Sequence, residues 1–165
     1  MSTRILAVML VLLIEGTVGC QSHAPNQGEA EIRQWLDRWV KAFSARDVNT
    51  IMSLYAADVV AYDIVPPLQY VGKDAYRKDY ERFLAQYEGP LEVEIRDMRI
   101  VAAGDVAFAA GLERISGAIK GQKSTMWVRF TSGYRKINGA WLDVQDHLSV
   151  PSDLETGKAL LDLKP

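Results

Sequence analysis

The chain has 165 residues, 48% of them hydrophobic and 24% charged, with a formal net charge of −2 at pH 7. That length suits one domain, and the composition is too apolar for a disordered chain. Near-neutral charge without a run of basic residues removes the electrostatic footprint that nucleic acid requires, so no nucleic-acid partner is expected.

The first residues differ from the rest. Arg4 gives a positive start, Ile5 to Ile14 is uninterruptedly apolar, and Thr17-Val18-Gly19-Cys20 closes with small residues. This pattern predicts an export signal over residues 1–19. Its apolar run is half of the ~20 residues that span a bilayer, so a retained membrane helix is not expected. Thr17 to Cys20 is similar to the lipobox of bacterial lipoproteins. That resemblance implies a lipid on Cys20, a place in the cell envelope, and membrane contact through that anchor alone; plain secretion is the alternative. Cys20 is the only cysteine, so no internal disulfide can form. Residues 20–28 are polar and contain Pro and Gly, and read as a tether that includes His23.

The domain is expected over residues 29–151. From Glu29 the residues Ile32, Trp35, Leu36, Trp39 and Phe43 recur at three- and four-residue steps, which predicts a helix to about Ser44. Asp47 stands where an N-cap belongs, and Ile51, Leu54 and Tyr55 predict a short second helix ending near Ala57. Val59 to Ile64 reads as a strand stopped by Pro66-Pro67. After Gly72, Tyr76, Tyr80, Phe83, Leu84 and Tyr87 predict a third helix, with Gly89-Pro90 as its stop signal. Four strands should follow: Leu91 to Ala102, Val106 to Ser116, Lys123 to Ile137, and Trp141 to Val150. The joints are Gly104-Asp105, a Gly117 to Gly121 connection, and Asn138-Gly139, a strong hairpin signal. Residues 152–165 form a tail, weakly amphipathic around Leu160, Leu161 and Leu163. The expected fold is α+β: three N-terminal helices packed on a strongly curved, mostly antiparallel sheet, forming a cone with an internal pocket.

Ala45-Arg46-Asp47-Val48-Asn49 through Leu54-Tyr55-Ala56-Ala57-Asp58, then Ala61-Tyr62-Asp63, then Tyr70 to Ala75, resemble the SnoaL-like and ketosteroid-isomerase-like branch of the nuclear transport factor 2-like superfamily. Trp141 to Pro151 is similar to the last strand of SnoaL-like proteins. The resemblance implies the cone-shaped fold and leaves function open, because this fold hosts isomerases, dehydratases, cyclases and members without known activity. It also puts Asp63 where the isomerase branch carries its general base.

An independent reason singles out Asp63. A carboxylate beside Pro66-Pro67, with Val60, Ile64 and Val65 as apolar neighbours, is desolvated and its pKa raised; alternatively its side chain caps the following turn. Trp39 stands where the isomerases hold an oxyanion-binding Tyr, and its indole can donate one hydrogen bond or simply fill the core. No acidic residue between Glu113 and Asp143 offers a second, protonated donor, so steroid isomerisation is not expected.

Period-two alternation puts His147 on one face of the last strand with Trp141, Asp143, Gln145 and Ser149. If that face lines the pocket, His147 is a candidate acid or base and Gln145 a ligand contact; if the opposite face does, His147 points outward. Tyr62, Tyr76, Tyr80 and Tyr87 can offer phenols to a ligand or pack as aromatics, and Arg129, beside Trp127 on one strand face, can anchor an anion or pair across the sheet. One histidine with scattered carboxylates makes no metal cluster, and no cofactor motif is present.

The expected function is therefore an exported pocket protein that binds a small apolar molecule, dimerises through its sheet, or both. The alternative is a cofactor-independent isomerase or lyase with Asp63 as base and His147 or Arg129 polarising an oxygen.

Overall fold

The computed structural model describes residues 26–165. The expected export signal and most of the expected tether, with Cys20 and His23, lie outside the described residues. The elements run α1 (Gln27–Ser44), α2 (Val48–Ser53), β1 (Tyr55–Tyr62), β2 (Tyr70–Val71), α3 (Lys73–Leu84), β3 (Tyr87–Ala103), β4 (Val106–Ile119), β5 (Gln122–Ile137) and β6 (Ala140–Ser149).

α1 buries the stripe that its spacing announces: Ile32, Trp35, Leu36, Trp39 and Phe43 all face the interior. Burial of each such side chain stabilises by roughly 1.5–3 kcal/mol. The helix starts earlier than expected, because Asn26 caps it by accepting from the Glu29 N–H at 3.0 Å. Gly28, read as tether, is therefore helical. A Cβ there would lie 2.8 Å from the Ala102 Cβ, so glycine lets the helix start press onto β3. Asp47 caps α2, accepting from the Thr50 N–H at 3.0 Å and its hydroxyl at 2.6 Å. α2 ends at Ser53 rather than near Ala57, because Tyr55 is already drawn into β1 by pairing with Asp143.

α3 ends at Leu84, and the chain through Gly89-Pro90 belongs to β3. A register shift between Glu88 and Glu92 accommodates Pro90, which has no N–H to give the ladder. β4 likewise runs past its expected end to Ile119, and Lys120-Gly121, both at positive φ, makes the turn. Asn138-Gly139 makes the last hairpin as expected, again with positive φ at both residues.

The six strands lie in the order β2-β1-β6-β5-β4-β3. All neighbours are antiparallel except β1 and β6, which are parallel. The sheet is open, and its concave face closes over the three helices around Trp35, Trp39, Phe43, Tyr55, Tyr76 and Tyr80. The tail is not helical. Ser152 bridges Ala159, and the Leu161 carbonyl accepts from the Trp127 N–H at 3.3 Å, where β5 extends beyond its pairing with β6.

A bulge in β6 decides what the site contains. Gly133 pairs with Gln145 but Tyr134 with Asp143, so Val144 is an extra residue in the ladder. The alternation therefore breaks. Trp141 and Asp143 face the interior before the bulge and Asp146 after it, while His147 is exposed. Neither single-face reading of the last strand holds along its whole length.

Candidate functional site

Between the helices and the sheet lies a narrow cavity of about 40 Å³, with aromatic walls from Trp39, Phe43, Tyr76, Tyr80 and Phe83. This is the room left to the centre of a water molecule, so the void as a whole is larger than the figure. A smaller cavity of about 20 Å³ adjoins it across Trp39, Tyr80, Glu113 and Leu148, deeper toward Trp35 and Phe130.

Three carboxyl groups line the larger cavity, and because Asp79 is taken up by Tyr70 and Arg82, chemistry can rest on the other two. Asp63 follows the end of β1, and its carboxyl is pushed up to about 7. Burial is the main cause, helped by the Asp79 and Asp146 carboxylates, and the Ile64 N–H, donating at 2.6 Å, pulls the other way. Desolvation and capping thus act on Asp63 together. Glu113 projects inward from the middle of β4, opposite Ile95 and Val128, and is only 4% exposed. Burial, then the charges of Asp146 and Asp63, push its carboxyl up to about 8.

Behind them is a hydrogen-bonded polar network. Asp146 accepts from Tyr76 at 2.9 Å, Ser132 at 2.9 Å and Tyr55 at 3.2 Å. The Tyr55 and Tyr80 hydroxyls are 2.7 Å apart, and the Trp39 indole donates to Tyr80 at 3.1 Å. Burial raises Asp146, and its three hydroxyl donors oppose that rise. The same burial drives Tyr55, Tyr76 and Tyr80 well above the ordinary phenol range, so they stay neutral donors. Asp143 is fully buried, its oxygens have no hydrogen-bond partner among the described residues, and burial raises it strongly.

Of the residues singled out from sequence, Asp63 and Trp39 meet in the cavity. Tyr62, Gln145 and His147 stand together outside it, in an open depression that shares Asp63 and Leu148 with the cavity wall. Trp127 and Arg129 do not line the cavity, because Val128 and Phe130 take the inward positions of β5. On the outer face the Arg96 guanidinium lies 5.2 Å from the Trp127 ring centre. Arg129 is exposed there, near the end of the tail.

Sequence reasoning missed Glu113 and the role of Asp146 as acceptor for Tyr55 and Tyr76. The available signal was the inward row of β4, where Glu113 interrupts Ala109, Gly111 and Ile115. Among the described residues no three His, Cys, Asp or Glu side chains converge as a metal ion would require.

Comparison with known proteins agrees with this architecture. No curated protein matches the chain. A nuclear transport factor 2-like protein of unknown function from Pseudomonas putida KT2440 is 40% identical, with a TM-score of 0.77 over 84% of this chain and 96% of that one. A nuclear transport factor 2-like superfamily protein from Salmonella enterica is 17% identical, with a TM-score of 0.68 over 79% of this chain and 96% of that one. A ketosteroid isomerase-like protein from Erwinia carotovora atroseptica is 21% identical, with a TM-score of 0.66 over 78% of this chain and 99% of that one. The last two likenesses concern the fold alone. A family model for the SnoaL-like domain matches residues 32–153, so the chain belongs to the SnoaL-like family, within the nuclear transport factor 2-like superfamily.

Proposed function

We propose that the cavity binds a small, largely apolar molecule bearing a carbonyl oxygen and moves a proton on it without a cofactor, as an isomerase or lyase does. The observation that carries this reading is the pair Asp63 and Glu113. Both carboxyls line one apolar cavity, pushed up to about 7 and about 8.

Ionised Asp63 takes a proton from the carbon next to the carbonyl, and the C–H electron pair moves into the enolate, whose oxygen Glu113 stabilises as a neutral hydrogen-bond donor. Return of the proton to another carbon completes an isomerisation. Expulsion of a β-hydroxyl, which leaves as water after taking a proton, completes an elimination. Trp39 and Phe43 exclude bulk solvent from the step.

Hydrogen–deuterium exchange into small ketones in D2O, followed by NMR, tests the proposal without knowledge of the natural substrate. The protein should accelerate exchange of at least one ketone that binds, and Asp63→Asn should lower that rate ~10²–10⁴-fold. Full exchange by Asp63→Asn would discard the proposal.

A second reading, capture of the ligand without chemistry, is favoured by the tight Asp63–Ile64 contact and by the aromatic side chains that narrow the cavity. It predicts binding without exchange. The exposed Val101, Val106 and Phe108 lie together on the outer face of β3 and β4 and suit a second copy of the chain. The proposed setting is the cell envelope, with Cys20 lipidated; mass spectrometry of the mature N-terminus tests it.

A further inference from the structure

The cavity is not the only concavity that Asp63 lines. On the outer side the same residue, with Leu148, forms the wall of an open depression completed by Tyr62, Leu68, Gln145 and His147. Two features of the fold build it. The parallel pairing of β1 with β6 sets Tyr62 beside His147, with ring centres 5.8 Å apart and planes at 72°. The Val144 bulge keeps Asp146 inside while leaving His147 outside. Beyond Pro66-Pro67, Leu68 is held 95% exposed and Tyr62 39% exposed, so two large side chains stand at the depression with much of their surface in water.

We infer that this depression is a second subsite, which seats a neutral, hydroxyl-bearing end of the ligand whose apolar part enters the cavity. The inference rests on the reading of the cavity as a ligand site and adds the class of molecule. The chemistry of the lining excludes the charged alternatives. None of the six lining residues is Lys or Arg, and a ligand carboxylate or phosphate would face the Asp63 carboxylate across the shared wall. A ligand ammonium would pair with the Asp63 carboxylate and lower its basicity, weakening the proton acceptor that the cavity needs. A hydroxyl both donates and accepts, and the Gln145 amide and His147 imidazole offer the matching groups. Tyr62 and Leu68 then cover the carbons that carry it.

The ligand should therefore be amphiphilic, with an apolar body and a neutral polar end. Four probes separate the subsites: cyclohexane for the cavity alone, and 1-hexanol, hexanoate and hexylammonium, which share one tail and differ in the end group. Affinities are read by NMR titration of the full chain at constant pH.

The expected result is that 1-hexanol binds more tightly than hexanoate or hexylammonium. Gln145→Leu with His147→Leu should weaken 1-hexanol ~5–10-fold, the loss expected for one or two hydrogen bonds, and leave cyclohexane unchanged. Unshifted melting of the double variant checks that the fold is intact. Cyclohexane binding together with unaltered 1-hexanol affinity in the double variant would overturn the second subsite and leave the cavity reading standing. Tightest binding by hexanoate or hexylammonium would overturn it too, and failure of both cyclohexane and 1-hexanol to bind would overturn subsite and cavity together.

Discussion

Asp63 and Glu113 face one cavity although β6 and β5 separate their strands in the sheet. Curvature brings them together, and a shared apolar surrounding raises both carboxyls. Their order matters for chemistry. With Asp63 pushed up to about 7 and Glu113 to about 8, the productive pair, ionised Asp63 with protonated Glu113, is most populated between those values. Ketone exchange should rise as pH climbs through about 7 and fall beyond about 8. The two groups feel each other's charge, so the limbs of the profile belong to the pair. A rate that stays flat from pH 5 to 9 would separate the chemistry from these carboxyls.

The same groups make stability depend on pH, with a sign that can be worked out. The Glu113 carboxyl is pushed up to about 8 in the folded chain, against 4.5 for a free glutamate side chain. Between those values the folded chain holds a proton that the unfolded chain has released, so stability falls as pH rises. Glu113→Gln cannot ionise and escapes this loss. Its stability relative to the parent should therefore grow from pH 4.5 to pH 8, by on the order of a few kcal/mol. Urea melts at the two pH values measure the difference, and an equal gap at both would show that Glu113 ionises freely in the fold.

Asp146 holds its surroundings by accepting rather than by titrating. Three hydroxyls donate to it, from Tyr55, Tyr76 and Ser132. Asp146→Ala removes the acceptor and leaves the buried Tyr76 and Ser132 hydroxyls unpaired, while Tyr55 keeps Tyr80, a loss of roughly 3–5 kcal/mol. Asp146→Asn keeps an acceptor oxygen and should lose less. Equilibrium unfolding of the two variants reads the ordering directly.

Much of the fold was legible because its signals are local. The stripe from Ile32 to Phe43 needs only helical spacing, Asp47 only its place before Thr50, and Asn138-Gly139 only its own backbone preferences. The missed features depend on residues far apart in the chain. Parallel pairing of Tyr62 with His147 leaves no periodic trace in either strand. Glu113 on a strand reads as a solvated charge until curvature closes the cavity over it. Period-two counting along β6 was valid on each side of Val144 and failed across it, because alternation assumes an unbroken ladder.

That failure yields the sharpest test of the architecture. Val144 is the residue that lets Asp143 and Asp146, an odd number of positions apart, both face the interior. Deleting it restores strict alternation, so one of two inward sets must turn out: Trp141 with Asp143, or Asp146 with its hydroxyl partners. Either outcome disrupts well-packed interior surface. The first exposes an indole that donates to Glu31 at 2.6 Å, and the second strands Tyr55, Tyr76 and Ser132 without their acceptor. Val144→Ala keeps the extra residue and should leave the register intact at a cost of about 1 kcal/mol or less for a half-buried side chain. The deletion should therefore abolish cooperative melting and the near-ultraviolet circular dichroism of the packed aromatics, whereas Val144→Ala retains both. A deletion variant that melts like the parent would mean that the bulge does not set the two faces of β6.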